Sequence, residues 1–489
     1  MGRKQAKTSE DANKTKCKLS GSKRSELKIL ADAILVKSRE KTQDEYEHFV
    51  ALYGFLDRIK KIESEIKAPI KSSRDSDVIA KFINWCHEKG AKFPKLELKM
   101  FPGYDLGLVA KQSLKKEEVF IEIPESMIFS FSKIKDDLPE ILRQRVFIDC
   151  PLFDGKSHLR LAFALMTEKL NPNSKWKPYL DVLPEKFRTV LYFTPAEMKE
   201  LQGTMALSSA CQQVKFIATQ YAFLYKYLMT AIEDDPVIDE LKANFTYEFY
   251  CWAVSCVMTR QNVVPQGPNG ETESALVGLW DMANHSNGVV NTAYNEETKH
   301  IESYCLGDFS VGDQVTMSYG NRSNEDFLIH NGFVYPENDN KDFNVKLSLS
   351  KADELYDDRA KLLELAGVRP TGNFQISPNF SNELLAFVRT FNMNKDQLKT
   401  WLEAGNAKEL LNPDLKLDKA LEQKILTFLL MRVKILLKAA TTTIEEDEAL
   451  LPETQTQKTK QMLIQHRILE KKALSEVATR VEGMIKILK

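Results

Sequence analysis

The densest group of polar residues in the sequence lies in an otherwise apolar run at positions 276–286. Within it, Asp281, Asn284 and His285 follow a segment whose pattern predicts a buried strand. Polar groups that enter a core need hydrogen-bond partners. The run therefore predicts either a site for a polar ligand or a capped turn whose side chains bond local backbone amides, and on this run alone both interpretations stay open.

Two further runs carry residues of the same kind. Positions 317–324 place Tyr319 at the end of a predicted strand and before a glycine, although a strand-end tyrosine taken alone indicates packing. Positions 257–262 place Arg260 and two amides directly before the Pro- and Gly-rich loop 264–270. Because functional side chains concentrate on loops that rigid elements support, the three runs together indicate a functional site.

The elements that must position these runs alternate between helical and strand patterns. Their order predicts N-terminal helices, a strand-rich body interrupted by a helical insert, and a helical C-terminal region. The helical patterns cover 25–66, 75–90, about 130–253 and the part after 349, and the strand patterns cover 106–110, 119–123, 254–320 and 345–349.

Composition limits the classes of protein to consider. The 489 residues predict two or three domains. Lys and Arg number 68 and Asp and Glu 69, so the net charge indicates neither a nucleic-acid nor a membrane partner. Seven cysteines without a CxxC pair argue against a disulfide framework or a zinc site, and they fit a reducing compartment.

Location follows from the same composition. No run approaches the roughly 20 apolar residues of a membrane span, so we expect a cytoplasmic protein, with the nucleus as a further location. The Lys-rich segment 1–24 cannot support a core. It is either a solvated terminus or a nuclear address.

A Gly-Leu strand at 107–108, Asn-His-Ser at 284–286 and Ser-Tyr-Gly at 318–320 follow one another along the chain. This order resembles the SET-domain methyltransferases, and more narrowly the class VII subgroup similar to plant Rubisco large-subunit methyltransferase. The resemblance covers roughly residues 75–489. Within the subgroup, the chain is most similar to the animal branch that methylates a histidine of actin, on the runs 259–262, 279–286, 319–324 and 442–447.

The resemblance implies an α+β fold in which a β-rich, pseudoknotted SET core carries a helical insert and is followed by an all-α substrate-binding domain. It implies S-adenosylmethionine as the methyl donor, S-adenosylhomocysteine as the product and the tele nitrogen of one actin histidine as the acceptor. A monomer without bound metal is expected. The implied limits are a disordered basic tail at 1–24, N-terminal helices at 25–93, a SET domain at 94–333 with its insert at about 130–253, and a helical substrate-binding domain at 334–489.

The resemblance also implies roles for individual residues. Tyr319 is the expected catalytic tyrosine beside the transferred methyl group, and the Asn262 amide is expected to bond the ring nitrogen that is not methylated. Arg260 is expected to bind the cofactor carboxylate, because a guanidinium binds carboxylates bidentately. The other expected cofactor-binding residues are Arg74, Tyr104, Asp105, Leu106, Asp281, Met282, Ala283, Asn284, His285, Asn331, Gly332 and Phe333, and the expected walls of the acceptor groove, besides Asn262, are Gln261, Val264, Val277, Trp280 and Arg322.

The sequence departs from the family pattern at a few of these positions. Val264 and Val277 stand where the pattern often has the bulkier isoleucine, which leaves the fit of the acceptor peptide open. Ala283 stands where a cysteine is expected, and the small size is kept. The segment 72–76 around Arg74 differs in length from the pattern.

Two other classes of function remain open on the sequence. A protein-lysine methyltransferase of the Rubisco large-subunit type would share fold and cofactor, and would differ at the acceptor pocket. A non-catalytic peptide-binding SET module is the second alternative, although Tyr319, Asn284 and His285 together favour an enzyme. Histidine is the favoured acceptor, because a neutral imidazole needs no strong base and an amide at position 262 suits a ring with two polar nitrogens.

Overall fold

The structure is a computed structural model that describes residues 19–67, 69–230, 232, 235–266, 270–376 and 380–488. Most of the tail predicted for 1–24 therefore lies outside the described residues. The end of that tail is helical, because Ser20 accepts a hydrogen bond from the Lys23 amide and a helix begins at Gly21. The prediction of a disordered segment up to position 24 is corrected at these last residues.

Several helices begin at side chains that bond the first turn. Asp44, Asp75 and Thr246 each accept a hydrogen bond from the amide three residues later. In chain order the helices are α1 Gly21–Lys37, α2 Glu45–Glu63, α3 Ser76–Glu88, α4 Phe131–Ile134, α5 Glu140–Leu142, α6 Ser157–Leu170, α7 Lys177–Leu180, α8 Pro195–Lys199, α9 Ala206–Thr230, α10 Pro236–Asn244, α11 Tyr247–Arg260, α12 Asn324–Asp326, α13 Tyr356–Ala366, α14 Asn382–Asn392, α15 Lys395–Ala404, α16 Lys419–Ala439, α17 Ile444–Leu450 and α18 Lys458–Leu488.

The strands are short, and the two strands predicted at 106–110 and 119–123 are present as β2 and β3. Several strands have both faces covered, and in β2 the last five of six residues are buried. In chain order the strands are β1 Leu96–Phe101, β2 Asp105–Ala110, β3 Val119–Pro124, β4 Ile128–Ser130, β5 Asn262–Pro265, β6 Thr272–Val277, β7 Asn284–His285, β8 Thr292–Asn295, β9 His300–Tyr304, β10 Gln314–Met317, β11 Phe343–Ser348 and β12 Thr371–Ile376.

The described chain forms two compact units. The first comprises the residues up to 187 together with 214–320, and the second comprises 188–213 together with the residues from 321 onward. The units thus divide the chain differently from the predicted limits at 93 and 333. Within the second unit, Glu200 of segment 188–213 pairs with Arg467 of α18. Within the first unit, Asp32 of α1 pairs with Lys226 of α9.

Three small sheets form the strand-rich part of the first unit. Their strand orders are β1-β2-β10-β7, β3-β9-β8 and β4-β6-β5. All described pairings are antiparallel except that of β10 with β7, which is parallel and aligns Thr316 with Asn284 and Met317 with His285. The short parallel pair places two of the chemically notable runs side by side, and the helices of the insert pack around an aromatic core that includes Phe163, Tyr221, Phe245 and Trp252.

The second unit is predominantly helical, as expected for the C-terminal region. Helices α16 and α18 contribute the buried residues Leu429, Val433 and Val477 to its core. It also contains a two-stranded antiparallel sheet of β11 and β12, in which Val345 pairs with Phe374. The alternation at 345–349 predicted the first of these strands, and β12 is an addition to the predicted all-α domain.

Among the described residues, no helix combines the length and the apolar character that crossing a bilayer requires.

Candidate active site

The parallel pair of β7 and β10 brings the Asn-His run beside the Ser-Tyr-Gly run. The Tyr319 amide donates a hydrogen bond to Nδ1 of His285 at 3.2 Å, and the two rings lie 5.2 Å apart between centroids. One residue further, the Ser286 amide donates to the Met317 carbonyl at 3.0 Å. Two runs that are 34 residues apart in sequence therefore meet at one point of the fold.

The Tyr319 hydroxyl is oriented by the backbone of the same segment. It donates a hydrogen bond to the Ala283 carbonyl at 2.9 Å. A phenol has one hydrogen to give, so a hydroxyl that is bonded in this way acts toward a reacting group as an acceptor. Ala283 is buried, which holds the carbonyl in place.

Asn284 is fixed by a close approach of β2. Its Nδ2 donates to Oε1 of Gln314 at 2.6 Å and lies 3.4 Å from the Leu106 carbonyl. A Cβ at Gly107 would lie 2.7 Å from Asn284 Nδ2, so a larger residue there would displace the Asn284 side chain. Gln314 was not among the predicted site residues, and a lone glutamine at a strand start gives no signal of such a role.

Arg260 and Asp281 form a buried ion pair beneath this segment. Arg260 Nη1 donates to the Asp281 carbonyl oxygen at 2.7 Å and lies 3.5 Å from Oδ2 of the same residue. The Tyr179 hydroxyl donates to Asp281 Oδ2 at 2.6 Å. Burial raises the pKa of Asp281 against the opposite effect of Arg260, and although burial lowers the pKa of Arg260, the Asp281 carboxylate contributes to a net increase.

Tyr179 is a site residue that sequence reasoning missed. It lies in α7, inside the helical insert and 102 residues before Asp281. Nothing in the local pattern distinguishes it from the many buried aromatic residues of the insert. Burial, followed by the Asp281 charge, raises its pKa well above the usual range, so it donates to the carboxylate as a neutral phenol.

Arg74 adds a second guanidinium to the cluster. Its Nε donates to the Val182 carbonyl at 2.7 Å, and its Nη1 pairs with the Asp105 carboxylate. Burial and then the like charge of Arg260 lower the pKa of Arg74, which shows that the two cations are electrostatic neighbours. Both Arg74 and Asp105 adopt positive φ, at 44° and 71°, so the chain is held in an unusual backbone conformation at both ends of this pair.

Four buried polar atoms around this cluster have no hydrogen-bond partner among the described residues. They are Arg74 Nη2, Arg260 Nε, Asp281 Oδ1 and Gln261 Oε1. Buried polar groups are almost always paired, so unpaired donors and acceptors at one place indicate a ligand. Two guanidinium donors fit a carboxylate, and a carboxylate oxygen fits an ammonium group; together they fit the α-amino acid moiety of S-adenosylmethionine.

The other residues predicted for the cofactor in the first unit flank this cluster. Tyr104 is half exposed in the turn between β1 and β2, with its amide donating to the Phe101 carbonyl at 3.1 Å. Leu106 opens the buried part of β2. Met282 is buried, and its sulfur lies 3.8 Å from Arg260 Nη1.

Three of the predicted acceptor-groove residues lie on the β5-β6 pair. Asn262 pairs with Ala275, and its Oδ1 accepts a hydrogen bond from the Val263 amide at 2.9 Å. Val264 and Val277 are buried in this sheet, at 4% and 0% exposure, so both occupy core positions among the described residues. Their expected role as groove lining stays a prediction.

Trp280 is positioned by the neighbouring sheet. Its indole Nε1 lies 2.9 Å from the Ser303 hydroxyl and 3.1 Å from the Thr292 hydroxyl. The side chain is almost fully buried, so these two hydroxyls fix the polar edge of the indole, and the expected role of Trp280 in the acceptor groove stays a prediction.

The remaining predicted residues belong to the second unit. Arg322 Nη1 donates to Oδ1 of Asn331 at 3.0 Å, so a residue expected at the acceptor and one expected at the cofactor bond each other. Gly332 has φ of 76°, and a Cβ there would lie 2.8 Å from the Arg188 backbone. Phe333, which is expected to stack on adenine, stacks on Phe327 with centroids 4.7 Å apart.

Comparisons with known proteins agree with this architecture. Two family models match the chain: the SET domain over residues 105–320 and the Rubisco LSMT substrate-binding domain over residues 350–474. The structure is similar to that of Rubisco LSMT bound to AdoMet, with a TM-score of 0.67 and 20% identity over 85% of this chain and 94% of that one. A SET-domain structure of LSMT bound to lysine and AdoHcy gives the same TM-score and identity, over 85% and 93% of the two chains. At this identity the likeness concerns the fold.

The relatives found by sequence comparison have a higher identity to this chain than these solved structures have. The chain is 35% identical to the actin-histidine N-methyltransferase of Xenopus tropicalis over 88% of this chain and 74% of the relative. It is 34% identical to the protein of the same name from Homo sapiens, over 88% and 73% of the two chains. The chain therefore belongs to the SET-domain family that carries a Rubisco LSMT-type substrate-binding domain, in the group formed by the actin-histidine N-methyltransferases.

Proposed function

We propose that this protein transfers a methyl group from S-adenosylmethionine to the tele nitrogen of one histidine in actin. The observation that carries the proposal is the set of unpaired buried atoms on Arg74, Arg260 and Asp281 beneath the His285–Tyr319 contact. This set fits the amino acid end of the methyl donor. The names of the related proteins supply the acceptor residue and the substrate.

The residues of this cluster are expected to bind and orient the methyl donor. Arg260 and Arg74 are expected to hold the carboxylate of the donor, and Asp281 Oδ1 is expected to accept from its ammonium group. When bound, S-adenosylmethionine would supply a methyl group on a positively charged sulfur. The lone pair of the acceptor nitrogen attacks the methyl carbon, and the sulfur leaves as part of S-adenosylhomocysteine. Because the displacement is in line, alignment of the acceptor by the protein accounts for most of the rate.

The acceptor ring must present a lone pair at its tele nitrogen. In that tautomer the other ring nitrogen carries the hydrogen and needs an acceptor. Oδ1 of Asn262 accepts one hydrogen bond from the Val263 amide, and a carbonyl oxygen has a second lone pair for the ring N–H. After transfer, the proton on that ring nitrogen passes to solvent and the ring becomes neutral again.

Tyr319 acts on the reacting side of the ring. Its hydrogen is given to the Ala283 carbonyl, so its oxygen faces the reaction as an acceptor for polarised C–H groups of the methyl. No side chain has to remove a proton before transfer, because imidazole is largely neutral at physiological pH.

The protein is further proposed to act in the cytoplasm, with the nucleus as a second location, and as a monomer. The six described cysteines are buried, and burial raises the pKa of Cys256 to about 12, which suppresses its thiolate. These features are compatible with a reducing compartment.

The test uses full-length unmethylated actin, the purified protein and S-adenosylmethionine, followed by intact mass measurement. One added methyl group per actin is expected. Tyr319→Phe is expected to bind the methyl donor with wild-type affinity and to transfer at a rate lower by about 100-fold, the effect of small misplacements in an in-line reaction. Transfer at the wild-type rate in Tyr319→Phe would refute the role of the hydroxyl, and an unchanged actin mass with the wild-type enzyme would refute the function.

A further inference from the structure

A groove on the first unit lies between the start of α5, the C-terminal end of α6 and the helix α10. Its volume is about 420 Å³, a size typical of pockets that bind ligands. None of its described lining residues belongs to the methyl-transfer site. Its apolar part is formed by Leu138, Pro139, Leu142, Leu170, Val237 and Leu241.

The charges in this groove have one sign. Asp137, Glu168 and Glu240 line it, and no cationic side chain is among its described lining residues. Glu168 is buried and accepts a hydrogen bond from the Ser174 hydroxyl, which holds its carboxylate in place. An apolar channel with carboxylates fits a lysine or arginine, whose long stem is apolar and whose head is cationic.

A smaller cavity of about 190 Å³ lies beside the first and has the opposite charge. Trp85 and Trp176 form its walls, and Lys89, Lys133 and Lys175 line it together with a single carboxylate, that of Glu125. The buried indole N–H of Trp176 has no hydrogen-bond partner among the described residues. Cations and an unpaired N–H donor fit an acidic side chain.

One ion pair joins the two cavities. Lys175, which lines the basic cavity, pairs with Asp137, which lines the acidic groove, and each side chain is about half exposed. Exposed ion pairs contribute little stability, so a ligand can replace this one at small cost. The two cavities, which this ion pair links, are here together named the bipolar groove.

We propose that the bipolar groove binds a segment of the protein substrate outside the acceptor histidine. The segment carries a lysine or arginine next to an apolar residue, followed by an acidic residue. A polypeptide offers both charges and an apolar side chain on one short stretch, which matches the carboxylates and apolar side chains of the acidic groove and the lysines of the neighbouring cavity. This inference rests on the proposed function for the identity of the substrate, actin.

Kinetics with two substrates test the groove. Glu240→Lys reverses a charge in the lining, and Asp239→Lys makes the same change at the neighbouring exposed residue of α10, which does not line the groove. With full-length unmethylated actin, Glu240→Lys is expected to raise KM at least about fivefold, as loss of a complementary charge does, with kcat unchanged. With a short peptide around the acceptor histidine, both variants are expected to behave as wild type.

Two results overturn the inference. Equal KM values for actin in the two variants show that the groove is not used. If Glu240→Lys raises KM for the short peptide as much as it raises KM for actin, the substitution acts on the catalytic site or on folding. Circular dichroism of both variants controls for folding.

Photo-crosslinking separates this inference from the proposed function. Val237, which lines the groove and is 37% exposed, is replaced by p-benzoylphenylalanine, and Ile29 of α1, which is 68% exposed, is replaced as the control. A crosslink from position 237 to actin, and none from position 29, is expected whether or not methyl transfer is measured. Absence of the crosslink overturns the inference, whereas a crosslink without methylation overturns only the proposed function.

Discussion

At the scale of single residues, the proposed recognition of the acceptor histidine rests on the amide of Asn262. The Val263 N–H donates a hydrogen bond to Oδ1 of Asn262, which occupies one of the two lone pairs of this oxygen. We propose that the second lone pair accepts the ring N–H of the tautomer that reacts at the tele nitrogen. On this proposal, asparagine at position 262 favours histidine over the flexible stem of lysine.

Replacement of Asn262 tests this role. Asn262→Leu leaves the ring N–H without an acceptor, and kcat/KM for histidine is expected to fall by about tenfold or more, since an unsatisfied buried group costs about 1–3 kcal/mol. Asn262→Asp keeps an acceptor oxygen and is expected to retain more activity. Both are measured with actin and with a peptide in which lysine replaces the acceptor. Unchanged histidine kinetics in Asn262→Leu would show that the amide does not contact the ring.

The separate runs around Tyr319, Asn284 and Arg260 could be recognised from residue types alone, because polar residues in apolar surroundings need partners. The hydrogen-bond partners of these residues could not be recognised from the sequence. Tyr179 and Gln314 complete the site from distant parts of the chain. Each is an ordinary residue in its own segment, and only the tertiary fold gives it a role.

At the scale of elements, the site depends on how closely β2 passes β7. Gly107→Ala would place a Cβ 2.7 Å from Asn284 Nδ2 and 2.9 Å from Gln314 Oε1. We expect a loss of about 1–3 kcal/mol in the free energy of unfolding, typical of overpacking, together with weaker binding of S-adenosylmethionine. Urea denaturation and calorimetric titration measure the two effects.

Gly307→Ala is the matched control, because no atom lies within 4 Å of a Cβ there. It is expected to change neither quantity. Equal stability and affinity in the two alanine variants would mean that the strand can move aside at Gly107 without cost.

A second element-level feature is the buried carboxyl at the end of α2. Glu63 accepts hydrogen bonds from the Tyr221 hydroxyl and, at 2.8 Å, from the Tyr247 amide, and so joins α2 to α9 and α11. Burial raises its pKa to about 8. In the unfolded chain the group titrates near its ordinary value of about 4.3.

Between these two pKa values, the native state therefore keeps a proton on Glu63, whereas the unfolded chain has released it. The free energy of unfolding is expected to fall as pH rises from about 4.3 to about 8, with no further contribution from this group above that range. Glu63→Gln should lack this dependence, since the amide does not titrate in this range and keeps a carbonyl oxygen that accepts a hydrogen bond. Urea denaturation between pH 5 and 9 measures both proteins, and parallel stability profiles would contradict a buried, protonated Glu63.

At the scale of the whole molecule, periodicity predicts the helical insert and the helical C-terminal region, because both bury one continuous apolar face. It does not predict the division into units. Segment 188–213 joins the second unit through the pair of Glu200 with Arg467, 267 residues away. Strand β12 is also hidden, because its run Thr371–Ile376 mixes glycine and amides with only two buried apolar residues.

We propose that the cluster beside Tyr319 serves methyl transfer to one histidine of actin. This role is tested most directly by incubating unmethylated actin with the protein and trideuteromethyl-labelled S-adenosylmethionine, followed by tandem mass spectrometry and by amino acid analysis of the hydrolysate. Label is expected on a single histidine, recovered as the tele-methyl isomer. Label on lysine, on the other ring nitrogen, or on no residue of actin would contradict it.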